Sequence, residues 1–113
     1  MNILYGIKNC DSVKKARKWL DSHHVEYQFH DFRSDGLTLE KIHEFIAKSD
    51  WELLLNKRST SWRQLTDEQR TDLNAEKAAL LMLESPTLIK RPVLESTQHL
   101  FIGFNTTNYQ TLL

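Results

Sequence analysis

A chain of 113 residues, 40% hydrophobic, with 15 cationic and 15 anionic side chains, is expected to be one domain (1–113) able to bury a core. Its zero net charge gives no general attraction to nucleic acid or to an acidic membrane surface, and no apolar stretch reaches the length of a membrane span. A single cysteine excludes an internal disulfide and points to a reducing compartment, so a cytoplasmic protein is expected.

The run Met1 to Tyr5 is too short for a signal peptide and no basic segment precedes it. Ile3-Leu4-Tyr5 reads as a short buried strand closed by Gly6. Asp11 or Ser12 can cap the helix that follows, with Val13, Ala16 and Leu20 at helical spacing and Trp19 widening that face. Lys14, Lys15, Arg17 and Lys18 then point toward water. Tyr27 and Phe29 alternate with Gln28 and His30, as in a second strand, and two strands joined by a helix should pair in parallel. After the Asp35-Gly36 turn, Thr38 can cap a helix whose apolar face is Leu39, Ile42, Phe45 and Ile46, with Leu37 and Ile42 placed as a hydrophobic staple.

The middle reads as broken helix. Trp51 to Leu55 is one short piece, Thr66 with Gln69 spells a capping box, and 74–84 is an alanine- and leucine-rich helix ended by Ser85-Pro86. Val93-Leu94 and Leu100-Phe101-Ile102 then flank a polar turn and predict an antiparallel hairpin, before a weak terminal helix over 105–113. The order βαβ, helical insertion (about 38–85), ββα predicts an α/β fold: a four-stranded mixed sheet flanked by helices.

Cys10 sits between the first strand and the first helix. Unpaired N–H groups and the helix dipole at a helix start favour a thiolate over a thiol. Lys8, Lys14 and Lys15 add positive charge nearby and Asp11 opposes it. Free cysteine is also among the most buried residue types, so position alone leaves a reactive thiol and an inert core thiol both open.

The stretch Leu4-Tyr5-Gly6-Ile7-Lys8-Asn9-Cys10-Asp11-Ser12-Val13-Lys14-Lys15-Ala16 resembles the arsenate reductase (ArsC/Spx) family, and most of all its YffB-like branch. The likeness continues through Phe29 to Leu37, Leu54 to Arg63, Ile89-Lys90-Arg91-Pro92 and Ile102-Gly103-Phe104, in order along nearly the whole chain. This resemblance implies a thioredoxin-like fold with a helical insertion and Cys10 as redox nucleophile. It further implies a cis proline at Pro92 facing the cysteine. Arg91 would then supply charge to a thiolate, an oxyanion or a carboxylate.

Spx-type members often carry Cys-x-x-Cys, but here Val13 stands three residues after Cys10. Turnover therefore needs an outside thiol. The YffB-like resemblance points to glutathione as co-substrate, acting on a disulfide or glutathionylated substrate through a mixed disulfide. Lys8, Asn9, Arg58, Arg91 and Pro92 are the expected glutathione-binding residues, with Cys10 and Arg91 catalytic. No metal, nucleic-acid or membrane partner is expected, and the protein should be a monomer.

Two alternatives accompany this reading. An Spx-like transcriptional regulator would dock on RNA polymerase, though without a second cysteine its local disulfide switch cannot form. An arsenate reductase of this family would resemble its relatives in three arginines, yet Asn56 (with Arg58 two residues on) and Gly103 stand at two of those positions. The histidines 23, 24, 30, 43 and 99 lack metal-ligand spacing. Trp62-Arg63 can line a ligand groove, although a packed tryptophan is commoner.

Overall fold

The computed structural model describes residues 1–113, which form two units: 1–36 with 91–113, and 37–90. In the first, β1 (Ile3–Gly6) runs into α1 (Asp11–Ser22), which returns to β2 (Gln28–Asp31). β1 and β2 are parallel, with Leu4 opposite Phe29 and Gly6 opposite Asp31. β3 (Val93–Glu95) lies antiparallel on the other side of β1, and β4 (Leu100–Ile102) closes the hairpin, giving the order β2-β1-β3-β4. The short α7 (Thr106–Tyr109) and one 3-10 turn end the chain.

Side chains alternate between the faces of a strand, so the register sorts this core. Leu4, Leu94, Phe29 and Phe101 share one face. There Leu4 and Leu94 are buried with Ala16 and Leu20 of α1 and Tyr109 of α7, and Trp19, Phe29, Phe101 and Phe104 pack around them. Gly6 lets α1 come this close: a Cβ at that position would lie 2.6 Å from Val13 Cγ2.

The helical unit is built from short pieces, each started by a side-chain cap. Thr38 caps α2 (Leu39–Lys48), Asp50 caps α3 (Trp51–Leu54), and Ser59 caps α4 (Thr60–Arg63). Thr66 and Gln69 form the complete capping box of α5 (Asp67–Arg70), and Asn74 caps α6 (Ala75–Glu84). Such caps satisfy N–H groups that the first turn leaves unpaired, which matters most where helices are one turn long. The buried Ile42 and Phe45 of α2, Leu54 of α3 and Ala78, Ala79 and Met82 of α6 supply the apolar interior.

Four details depart from the sequence reading. The cap of α1 is neither Asp11 nor Ser12: Cys10 itself is the N-cap residue, and Asp11 is the first helical residue. Tyr27 lies outside β2, which begins at Gln28. Arg17 does not simply face water, because its guanidinium carbon lies 4.3 Å from the centre of the Phe29 ring and its Nε donates to Tyr27 Oη at 3.3 Å. Finally, α4 and the 3-10 turn Pro86–Leu88 were not anticipated. Each is too short to show a helical apolar period, and only the Ser59 cap marks the first in sequence.

Candidate functional site

Cys10 closes the loop that leaves β1. Its backbone is extended, at φ −127° and ψ 126°, and its carbonyl accepts the first helical bond, from Lys14 N at 2.9 Å. Its thiol is free, partly exposed, and caps no backbone amide. An N-cap side chain ordinarily accepts from the second or third helical N–H, here Ser12 and Val13, and the Cys10 thiol makes neither bond. Lys8 and Asn9, in the turn before Cys10, are exposed, as are Asp11, Lys14 and Lys15.

The register places the other pieces at this end of the sheet. β1 points its C-terminal end toward Cys10, and antiparallel β3 starts there, with Val93 opposite Tyr5. Arg91 and Pro92 therefore precede β3 at the end from which the Cys10 loop departs, and the Arg91–Pro92 peptide is cis. The Pro92 carbonyl accepts from Gly103 N at 2.8 Å. Gly103 has φ +78°, a conformation that side chains strain, so an arginine is disfavoured at this position by the backbone itself. Arg91 Nε is shut off from solvent and has no hydrogen-bond partner. A buried guanidinium donor without an acceptor is a place for an anion.

Of the expected binding residues, Lys8, Asn9, Cys10, Arg91 and Pro92 thus belong to one end of the sheet. Arg58 belongs to the helical unit, exposed, with its N–H donating to Asn56 Oδ1 at 3.0 Å and its carbonyl accepting from Arg63 at 3.1 Å. Asn56 therefore closes a turn. A groove of about 1030 Å³ lies at the opposite end of the sheet between Met1, His23, Val25, Tyr27 and Leu112, and none of these site residues lines it.

Asp31 was missed. It ends β2 beside Gly6 and is 8% exposed. Its Oδ2 accepts from Lys8 N at 3.0 Å and its Oδ1 from the amides of Arg33 at 2.7 Å and Ser34 at 3.3 Å. Burial pushes its carboxyl up, but the N–H groups of Arg33, Lys8 and Ser34 and the Arg33 charge outweigh this and leave it below its ordinary 3.8. An Asp followed by Phe32-Arg33-Ser34 is an Asx-turn signal, legible in sequence as a turn only.

A four-stranded mixed sheet, a cysteine at the N-cap of its first helix and a cis proline before β3 together define an α/β, thioredoxin-like protein with one thiol at its site. The chain belongs to the ArsC family, whose model matches residues 5–112. It is similar to the solved structure of the YFFB protein: 43% identity, a TM-score of 0.96, and coverage of 100% of this chain and 99% of that one. An arsenate reductase (ArsC) related protein from Brucella melitensis is likewise 43% identical, with a TM-score of 0.79 over 97% of this chain and 92% of the other. The global transcriptional regulator Spx of Lactiplantibacillus plantarum is 30% identical over 107 residues, 93% of this chain and 80% of the regulator.

Proposed function

We propose that this ArsC-family protein is a thiol–disulfide reductase that uses Cys10 as nucleophile and glutathione as co-substrate. The observation that carries the reading is the free, partly exposed Cys10 at the N-cap of a 12-residue helix, with its side chain uncommitted. In the first step the Cys10 thiolate attacks one sulfur of a substrate disulfide. A Cys10–S bond forms, the substrate S–S bond breaks, and the leaving thiolate takes the electron pair and a solvent proton. A glutathione thiolate then attacks the mixed disulfide, releasing reduced Cys10. A second glutathione completes the balance, so two glutathiones are oxidised as one disulfide is reduced.

The unpaired Arg91 Nε supports a role for Arg91 in holding a carboxylate of the tripeptide, with the main chain before Pro92 receiving its extended backbone. Lys8 and Asn9 are exposed donors suited to the remaining polar groups. Arsenate reduction is the weaker reading. Asn56 and Gly103 stand at two of the arginine positions, and the φ of Gly103 disfavours any side chain there.

Incubation with oxidised glutathione, followed by intact-protein mass measurement, tests the proposal. One glutathione should add, and Cys10→Ser should abolish the adduct. Arg91→Ala should slow its formation several-fold, since a partly buried charge contact is worth more than the roughly 0.2–1 kcal/mol of an exposed one. If a small disulfide reagent reacts while oxidised glutathione does not, glutathione is the wrong partner. If neither reacts, the enzyme reading fails. Retention of RNA polymerase on the immobilised protein, without turnover, would favour the regulator.

A further inference from the structure

The connection between β1 and α1 is fastened at three places. Gly6 O accepts from Phe32 N at 2.8 Å, Lys8 N donates to Asp31 Oδ2 at 3.0 Å, and Cys10 O accepts from Lys14 N at 2.9 Å. The first and last belong to the sheet and the helix. The middle one comes from a side chain 23 residues away, and only Asn9 separates its donor from the cysteine. The two oxygens of Asp31 divide their work. Oδ1 serves the local turn through Arg33 and Ser34, and Oδ2 serves the loop alone. Asp31 is itself held, because its N–H donates to Asp35 Oδ2 at 2.9 Å and its carbonyl accepts from Asp35 N at 2.8 Å.

We propose that Asp31 is the positioning residue for Cys10: its carboxylate clamps the Gly6–Cys10 loop through the Lys8 amide and so sets how fast the thiol meets a disulfide. This rests on the thiol–disulfide reading above. Attack on a disulfide needs the sulfurs near contact distance and in line, and a displacement of about 1 Å can cost roughly 100-fold in rate. Lys8 is exposed, so without Asp31 its N–H turns to water and the loop loses the one bond that fixes its middle. The chemistry is unchanged: the Cys10–S bond forms, the attacked S–S bond breaks, and the leaving thiolate carries away the electron pair.

Asp31→Asn tests this selectively. Its remaining oxygen can stay on the Arg33 and Ser34 amides, while its NH₂ group faces the Lys8 N–H, donor against donor. Lys8→Pro deletes the same bond from the other side and, if Asp31→Asn fails to fold, serves through its rate with the uncharged disulfide alone, since it has no amide hydrogen at position 8 and lacks the lysine charge. Three quantities are measured: amide hydrogen exchange at Lys8, Arg33 and Ser34; the Cys10 rate with oxidised glutathione; and its rate with 2,2′-dithiodipyridine, a small uncharged disulfide. A control, Phe45→Leu, lowers stability in the helical unit.

The expected result for Asp31→Asn is faster exchange at Lys8 with Arg33 and Ser34 still protected, and about tenfold slower reaction with both disulfides. Phe45→Leu should react at the wild-type rate. The proposal is overturned if Asp31→Asn exchanges faster at Lys8 yet reacts normally, if Lys8 exchange does not change, or if Phe45→Leu slows equally. A wild-type protein that reacts with 2,2′-dithiodipyridine but not with oxidised glutathione defeats the glutathione reading, and Asp31 is still judged on the smaller reagent. If wild type reacts with neither, both fall.

Discussion

Gly6→Ala puts the close approach of β1 and α1 to a quantitative test. The added Cβ would meet Val13 Cγ2 at 2.6 Å, with Val13 Cγ1 at 3.5 Å and Cβ at 3.6 Å. Carbon atoms rest at about 3.5–4.0 Å, so the gap must open by about 1 Å. Val13 cannot swing aside, because a β-branched residue in a helix has essentially one χ1 well. The start of α1 must therefore move. Overpacking of this kind costs about 1–3 kcal/mol, and the reduced freedom of the unfolded chain returns about 0.4–1 kcal/mol. The middle of these ranges leaves a net loss of about 1.3 kcal/mol, which at roughly 4 °C per kcal/mol for a chain of this size lowers Tm by about 5 °C. Val13→Ala removes both γ-methyls, so the double variant should be more stable than the sum of the single losses by more than about 0.5 kcal/mol, measured by denaturant unfolding. Because Cys10 occupies the N-cap position of the same helix, its rate with oxidised glutathione should drop in Gly6→Ala and recover in the double variant. Additive losses, or an unchanged Tm in Gly6→Ala, would refute the close-approach argument.

Two further predictions concern buried polar groups. Tyr109 is fully buried among Trp19, Phe101 and Phe104, its hydroxyl has no partner, and burial pushes its pKa up. Tyr109→Phe should therefore raise stability by about 1 kcal/mol, since an unsatisfied buried hydroxyl costs about 1–3 kcal/mol; a loss of that size in thermal unfolding would reveal a partner for the hydroxyl. The carboxyl of Asp31 is lowered in the folded protein from 3.8, so the unfolded chain takes up its proton first as pH falls. Its contribution to stability is fully present above the unfolded value and drains away as pH drops through the lower folded one. Unfolding free energies at pH 5, 4 and 3 should fall less steeply for Asp31→Asn than for wild type, and equal slopes would show that the three amides do not favour the ionised form.

Much of this protein was readable from local pattern. The helical spacing of Val13, Ala16 and Leu20, the alternation around Phe29, the Thr66–Gln69 box and the hairpin residues each act over a few positions, and each produced its element. The lone cysteine likewise set a chemical limit that no fold can alter: a disulfide at Cys10 must use a sulfur from outside the chain. Tertiary structure decided what depends on distant partners. Cys10 became the cap of α1 where the sequence offered Asp11 and Ser12, Arg17 lay over the Phe29 ring instead of in water, and Gly103 took a backbone conformation that keeps an arginine away. Asp31 shows the reason most plainly. In sequence it is one acidic residue in a turn, and its hold on the Lys8 amide, 23 residues away, exists only because parallel pairing sets Gly6 opposite Asp31, a juxtaposition that no local signal spans.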